Sequence, residues 1–144
     1  MRAALIAAAM ITAGPSALHA ATPPSQPVTA RTSSQLQGPF ELHSRVYPGT
    51  VRRYWVYVPA DYDPARPPNL LIFQDGQRAV NPSGSLRLPA VLDDLIGRHD
   101  IPSTLGIFVT PGHRAAHYPD DLGMNNPDHR VEEYDSISDD YARL

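Results

Sequence analysis

Two short unbroken apolar runs, Leu70-Leu71-Ile72-Phe73 and Leu105-Gly106-Ile107-Phe108-Val109, constrain this chain more than any other feature. A strand whose successive residues are all apolar suits burial on both faces, which is the situation of strands in parallel sheets. Between the runs, Pro89 to Ile96 places Val91, Leu92, Leu95 and Ile96 on one stripe, with Pro89 at a permitted first-turn position and Gly97 near the end. Strand, helix and strand in succession form a crossover unit, expected to be right-handed, so the fold class is α/β.

Upstream of this unit the pattern changes to that of a half-buried hairpin. Phe40, Leu42, Ser44 and Val46 alternate with Glu41, His43 and Arg45, at the period of a strand with one face in water. Tyr47-Pro48-Gly49-Thr50 turns the chain, and Val51 to Val58 follows, dense in β-branched and aromatic residues, until Pro59 stops it.

The amino terminus has another composition. Met1-Arg2, the apolar run Ala3 to Ala13 and the small residue Ala20 together make a signal peptide over residues 1–20, too short to span a bilayer. The protein is therefore expected to be secreted or periplasmic. Residues 21–37, rich in Pro, Ser, Thr and Gln, lack the apolar surface to offset the entropy of ordering and are expected to be a disordered linker. That leaves 38–144 as a single domain. No Cys is present, which excludes disulfides, Cys-ligated zinc and thiol catalysis. All twelve basic residues are Arg, spread evenly against 15 acids for a formal net charge of -3, so no basic field exists to hold nucleic acid.

The segment from Thr110 to Glu133 has neither periodicity, and loops of that length are functional or disordered. Asp135 to Leu144 offers cap residues and an apolar spacing at Ile137, Tyr141 and Leu144, the start of a helix that the chain does not continue. The sequence is accordingly expected to be an amino-terminal portion.

The candidate site lies where the first apolar run meets Gln74-Asp75-Gly76-Gln77-Arg78. A carboxylate and a flexible backbone at the carboxyl end of a strand occupy the position where open α/β sheets build their sites, although Asp-Gly also makes ordinary turns. Asp75 and Arg78 have an alternative reading as a surface ion pair. His113-Arg114-Ala115-Ala116-His117 has a zinc-like spacing, but Pro111-Gly112 and Pro119 break the helix it would need, and no metal or other cofactor is expected. Arg130, Glu132 and Glu133 read as solvated loop charge, with substrate contact as the alternative. Trp55 and its neighbouring tyrosines read as core, with sugar stacking as the alternative.

Tyr54-Trp55-Val56-Tyr57-Val58-Pro59-Ala60-Asp61-Tyr62, Leu71-Ile72-Phe73-Gln74-Asp75-Gly76, Arg130 to Tyr134 and Tyr134-Asp135-Ser136-Ile137-Ser138-Asp139 resemble, in order and spacing, the amino-terminal half of an esterase family. Its members include ferric enterobactin esterases and relatives of feruloyl esterases and mycolyltransferases. The resemblance covers Phe40 to Leu144 and implies an incomplete α/β-hydrolase-type sheet with an amino-terminal β-hairpin. It further implies a serine esterase acting on a small-molecule or sugar ester. The backbone N–H of Gln77 would serve as an oxyanion donor, with Asp75, Gly76 and Arg78 binding substrate. The family's G-x-S-x-G elbow is missing: Pro82-Ser83-Gly84-Ser85-Leu86 comes nearest and lacks the outer glycines. The chain alone is therefore expected to be inactive. The competing reading is a secreted, non-catalytic carbohydrate- or protein-binding module.

Overall fold

The structure, a computed structural model, describes residues 33–144. The signal peptide and all of the linker up to residue 32 lie outside the described residues. Chain order runs β1 (Gln35–His43), β2 (Thr50–Val58), β3 (Asn69–Gln74), α1 (Gly76–Ala79), α2 (Leu88–Gly97), β4 (Thr104–Val109), β5 (His113–Arg114) and α3 (Arg130–Tyr134). Two 3-10 turns, Asp120–Leu122 and Tyr141–Arg143, complete it.

β1 and β2 form the expected antiparallel hairpin, with Phe40 opposite Tyr54 and Leu42 opposite Arg52. Its connection is built by turn chemistry. Thr50 N–H donates to the Tyr47 carbonyl, Pro48 supplies a fixed φ, and Gly49 at φ 80° takes the position that a type II turn reserves for glycine. β1 begins at Gln35, five residues before Phe40, so Gln35 to Gln37 belong to the sheet and not to the linker. A register shift between Gln37 and Phe40, at Gly38-Pro39, is where the strand accommodates a proline on its outer edge.

β3 and β4 are parallel neighbours, with Leu71 opposite Gly106 and Phe73 opposite Phe108, and α2 lies between them in sequence. This is the crossover unit that the two apolar runs imply. β4 also pairs antiparallel with β2, giving the order β1-β2-β4-β3 with β5 beside β2, a five-stranded mixed sheet. β3 is thus an edge strand among the described residues and not a central one.

The side chains on one face of the sheet, Trp55, Tyr57, Leu71, Phe73 and Phe108, pack against Ala79 of α1 and Leu92 and Ile96 of α2. Fully burying residues such as Leu92, Ile96 and Phe108 is worth roughly 1.5–3 kcal/mol each. Trp55 and Tyr57 therefore belong to the core, and the Tyr57 hydroxyl donates to Asp93 Oδ1 of α2 at 2.7 Å. The expectation that both apolar strands are covered on both faces fails for β3. Leu70 is 58% and Ile72 62% exposed, because α2 covers only the alternate positions Leu71 and Phe73. On that second face a hollow of about 570 Å³ is lined by Leu42, Tyr54, Ile72, Ile107 and Val109 of the sheet and by Tyr141, Ala142 and Leu144.

Two further differences concern the carboxyl-terminal third. Arg130–Tyr134, which carries no legible periodicity, is a helix. The Asp135 to Leu144 stretch forms only the 3-10 turn Tyr141–Arg143, and Ile137 stands fully exposed instead of joining Tyr141 on a stripe. No described helix is long and apolar enough to cross a membrane.

Candidate functional site

β3 delivers the chain directly into the Asp75-Gly76 turn. Asp75 adopts a left-handed conformation, φ 54° and ψ 44°, and α1 starts at the next residue. Left-handed backbone costs a non-glycine residue of order 1 kcal/mol or more and persists only where surrounding contacts enforce it. Gly76 is buried against the backbone of β4: a Cβ there would stand 2.5 Å from the Phe108 carbonyl carbon and 2.6 Å from the Val109 nitrogen. Only glycine lets the turn approach the end of β4 so closely.

The consequence is a backbone cradle at the carboxyl end of β3. The Asp75 carbonyl accepts the Arg78 N–H at 2.9 Å and the Gly76 carbonyl accepts the Val80 N–H at 3.0 Å. The Gln77 N–H donates to no acceptor among the described residues. Opening N–H groups of any helix lack intrahelical partners; this one sits where the left-handed turn and the packed glycine hold it rigidly. The side-chain amide of Gln77 is also buried at both polar atoms without a hydrogen-bond partner among the described residues. Leaving buried polar atoms unpaired costs about 1–3 kcal/mol apiece, so such atoms concentrate where a structure serves something besides stability.

Asp75 and Arg78 do not pair with each other. The Arg78 guanidinium turns away, donating to Asn126 Oδ1 at 3.0 Å and to the Met124 carbonyl at 3.4 Å. The partner of Asp75 is Arg130, from the first turn of α3, in a two-point pair: Nε to Oδ1 at 3.0 Å and Nη2 to Oδ2 at 2.8 Å. The Arg130 guanidinium also lies over the Tyr134 ring, 4.9 Å from its centroid. The bond to Asp75 raises the Arg130 pKa further, and burial raises that of the Tyr134 hydroxyl.

α3 is itself fastened by a buried ion pair. Arg52 of β2 donates from Nη1 and Nη2 to Glu133 at 3.2 and 3.0 Å, and both side chains are fully buried. The Gly112 N–H and the His129 ring complete the shell around the Glu133 carboxylate. At the exposed rim, Arg114 binds Glu132 at 2.6 Å and holds its carboxyl below the usual range. The reading of Arg130 and Glu133 as solvated loop charge is thereby overturned: one clamps the turn, the other anchors α3 to β2. Sequence reasoning missed both roles because a five-residue helix is too short to show a period. The one available signal was the spacing Arg130, Glu133, Tyr134, which puts all three on one side of a helical turn.

The histidines do not converge. His113 faces Asp128, His117 faces Glu41, and His129 lies between Glu132 and Glu133. Among the described residues no group of three or more His, Cys, Asp or Glu is gathered as a metal site. Ser83 and Ser85 lie in the connection between α1 and α2, where the Ser83 N–H donates to Asn81 Oδ1. The arrangement presents a backbone N–H without an acceptor among the described residues, a group able to donate to a negatively charged atom. No family model matches the chain, and neither the curated proteins nor the solved structures give a match.

Proposed function

We propose that this chain carries the oxyanion side of an exported serine esterase of the α/β-hydrolase type, acting on a small-molecule or sugar carboxylic ester, with the attacking serine supplied from outside these 144 residues. The observation that carries the reading is the Gln77 N–H, free of any described acceptor and held in a left-handed Asp-Gly turn immediately after the third strand. α/β-Hydrolases draw one oxyanion donor from the loop that follows the third strand, and sites of open α/β sheets lie beyond the carboxyl ends of their strands. A preorganised N–H at that place stabilises the charge that develops on a carbonyl oxygen under attack. Serine, histidine and acid would do the bond breaking, in the order Ser, acid, His along the chain, and none of the three is assigned to a residue here.

Two measurements test the reading. The purified chain should hydrolyse p-nitrophenyl acetate no faster than a heat-killed control. Fused through Leu144 to the carboxyl-terminal half of a ferric enterobactin esterase, which brings the serine elbow, acid and histidine, it should gain turnover. Gln77→Pro then removes the N–H at a first-turn position that tolerates proline. The loss expected from removing one oxyanion donor is about 10²–10³ in kcat. Turnover by the bare chain, or a folded fusion whose turnover is indifferent to Gln77→Pro, overturns it.

A further inference from the structure

We infer that Arg130 is the positioning residue of the Gln77 donor: by gripping the Asp75 carboxylate at two points from α3, it holds Asp75 left-handed and so fixes the direction of the N–H two residues on. The identity of that donor as an oxyanion contact rests on the proposed function; the clamp itself does not. Three features of the structure support it. Asp75 is one of three non-glycine residues with positive φ among the described residues, and its side chain is bound from a different element, whereas Arg87 and His99 make no side-chain hydrogen bond. The planar guanidinium meets the carboxylate through Nε and Nη2 together, which sets the orientation of the carboxylate as well as its distance. The clamping arm is rigid in turn, because Arg130 lies on the Tyr134 ring and α3 is tied to β2 through Glu133 and Arg52.

Ordinary loss of stability and loss of positioning differ at Asp75. Alanine there removes the carboxylate and leaves a side chain that resists the left-handed region; glycine removes the carboxylate and adopts that region freely. The test is amide NMR of the full chain, reading the Gly76 and Gln77 resonances and hydrogen exchange at Arg78, whose N–H donates to the Asp75 carbonyl. Arg130→Gln and Asp75→Ala should shift both resonances and speed Arg78 exchange by about tenfold, the scale of a lost charge-assisted hydrogen bond. The amides of Val56 and Ile107 should not change. Asp75→Gly should keep the wild-type loop resonances without any clamp, and Arg130→Lys, which offers a point charge in place of the fork, should fall between wild type and Arg130→Gln.

The inference is overturned if Arg130→Gln leaves the loop amides unmoved, if it accelerates exchange at Val56 and Ile107 as much as at Arg78, or if Asp75→Gly behaves as Asp75→Ala does. Should Arg130→Gln fail to fold, the Asp75→Ala and Asp75→Gly pair decides alone. No ester enters these measurements, so a failed clamp and a failed esterase reading show themselves in separate experiments.

Discussion

The two faces of one sheet have opposite fates in this molecule. On the face that carries Tyr57, Leu71, Phe73 and Phe108, α1 and α2 exclude water, and Phe108 is completely buried. On the face that carries Tyr54, Ile72, Ile107 and Val109, a hollow is lined by Tyr141 and Leu144 of the chain's last residues, and α3 sits over Arg52. The strands supply apolar residues to both. What differs is the cover: two helices pack on the first face, whereas over the second α3 is tied to β2 by the buried Arg52–Glu133 pair and flanked by edge contacts of Tyr47 with His129 and of Tyr134 with Tyr141. On the second face the Arg52 guanidinium is bonded to Glu133 through both Nη atoms while its buried Nε has no partner among the described residues, so the pair sets where α3 sits more than it adds net stability.

The largest effect that would break this contrast is at the ion pair. Glu133→Ala leaves the Arg52 guanidinium buried and uncompensated, at an expected cost of about 3–5 kcal/mol in urea unfolding, whereas replacing both residues by apolar ones of similar volume costs far less. A double variant as unstable as the single one would remove the ion pair from its role. Next comes the same excision made on the two faces. Leu92→Ala, beneath α2, should cost about 2–5 kcal/mol, while Leu70→Ala, on the open face, should change stability by no more than about 0.5 kcal/mol. Equal losses would mean that the second face is covered in solution.

The smallest effect sharpens the comparison from the covered side. Burial, and then the hydrogen bond to Asp93, push the Tyr57 hydroxyl well above its ordinary pKa of 10.0. A proton held more tightly in the folded state than in the unfolded one contributes stability that is present below pH 10 and lost as pH rises above it. Wild-type urea midpoints should therefore decline above pH 10. Tyr57→Phe should flatten part of that decline at the cost of about 1 kcal/mol at neutral pH, from the lost hydrogen bond. An unchanged alkaline profile would show that Tyr57 is not the group responsible.

The parts of the fold legible in the sequence are those that repeat within a few residues. The hairpin follows from alternation plus Pro48-Gly49, the β3-α2-β4 unit from two apolar runs flanking a helical stripe, and the Asp75-Gly76 turn from its dipeptide. The position of Asp75 and Gly76 at the end of a strand was legible for the same reason, whereas Gln77 was singled out only by the resemblance to the esterase family. The α3 helix was not: five residues between irregular segments carry no period, and the roles of Arg130 and Glu133 depend on Asp75 in the turn after β3 and on Arg52 of β2, both far away in sequence.

Local chemistry in the chain, by itself, determined which residues extend, which coil and where glycine must let the backbone turn, because steric limits and apolar spacing act between near neighbours. Tertiary structure alone decided that Asp75 answers to Arg130 and not to Arg78, that Glu133 is buried with Arg52, and that β3 shows one apolar side to water. A carboxylate's partner is chosen by which cation the folded backbone brings within 3 Å and away from solvent, across 55 residues in one case and 81 in the other. No spacing along the chain encodes that distance.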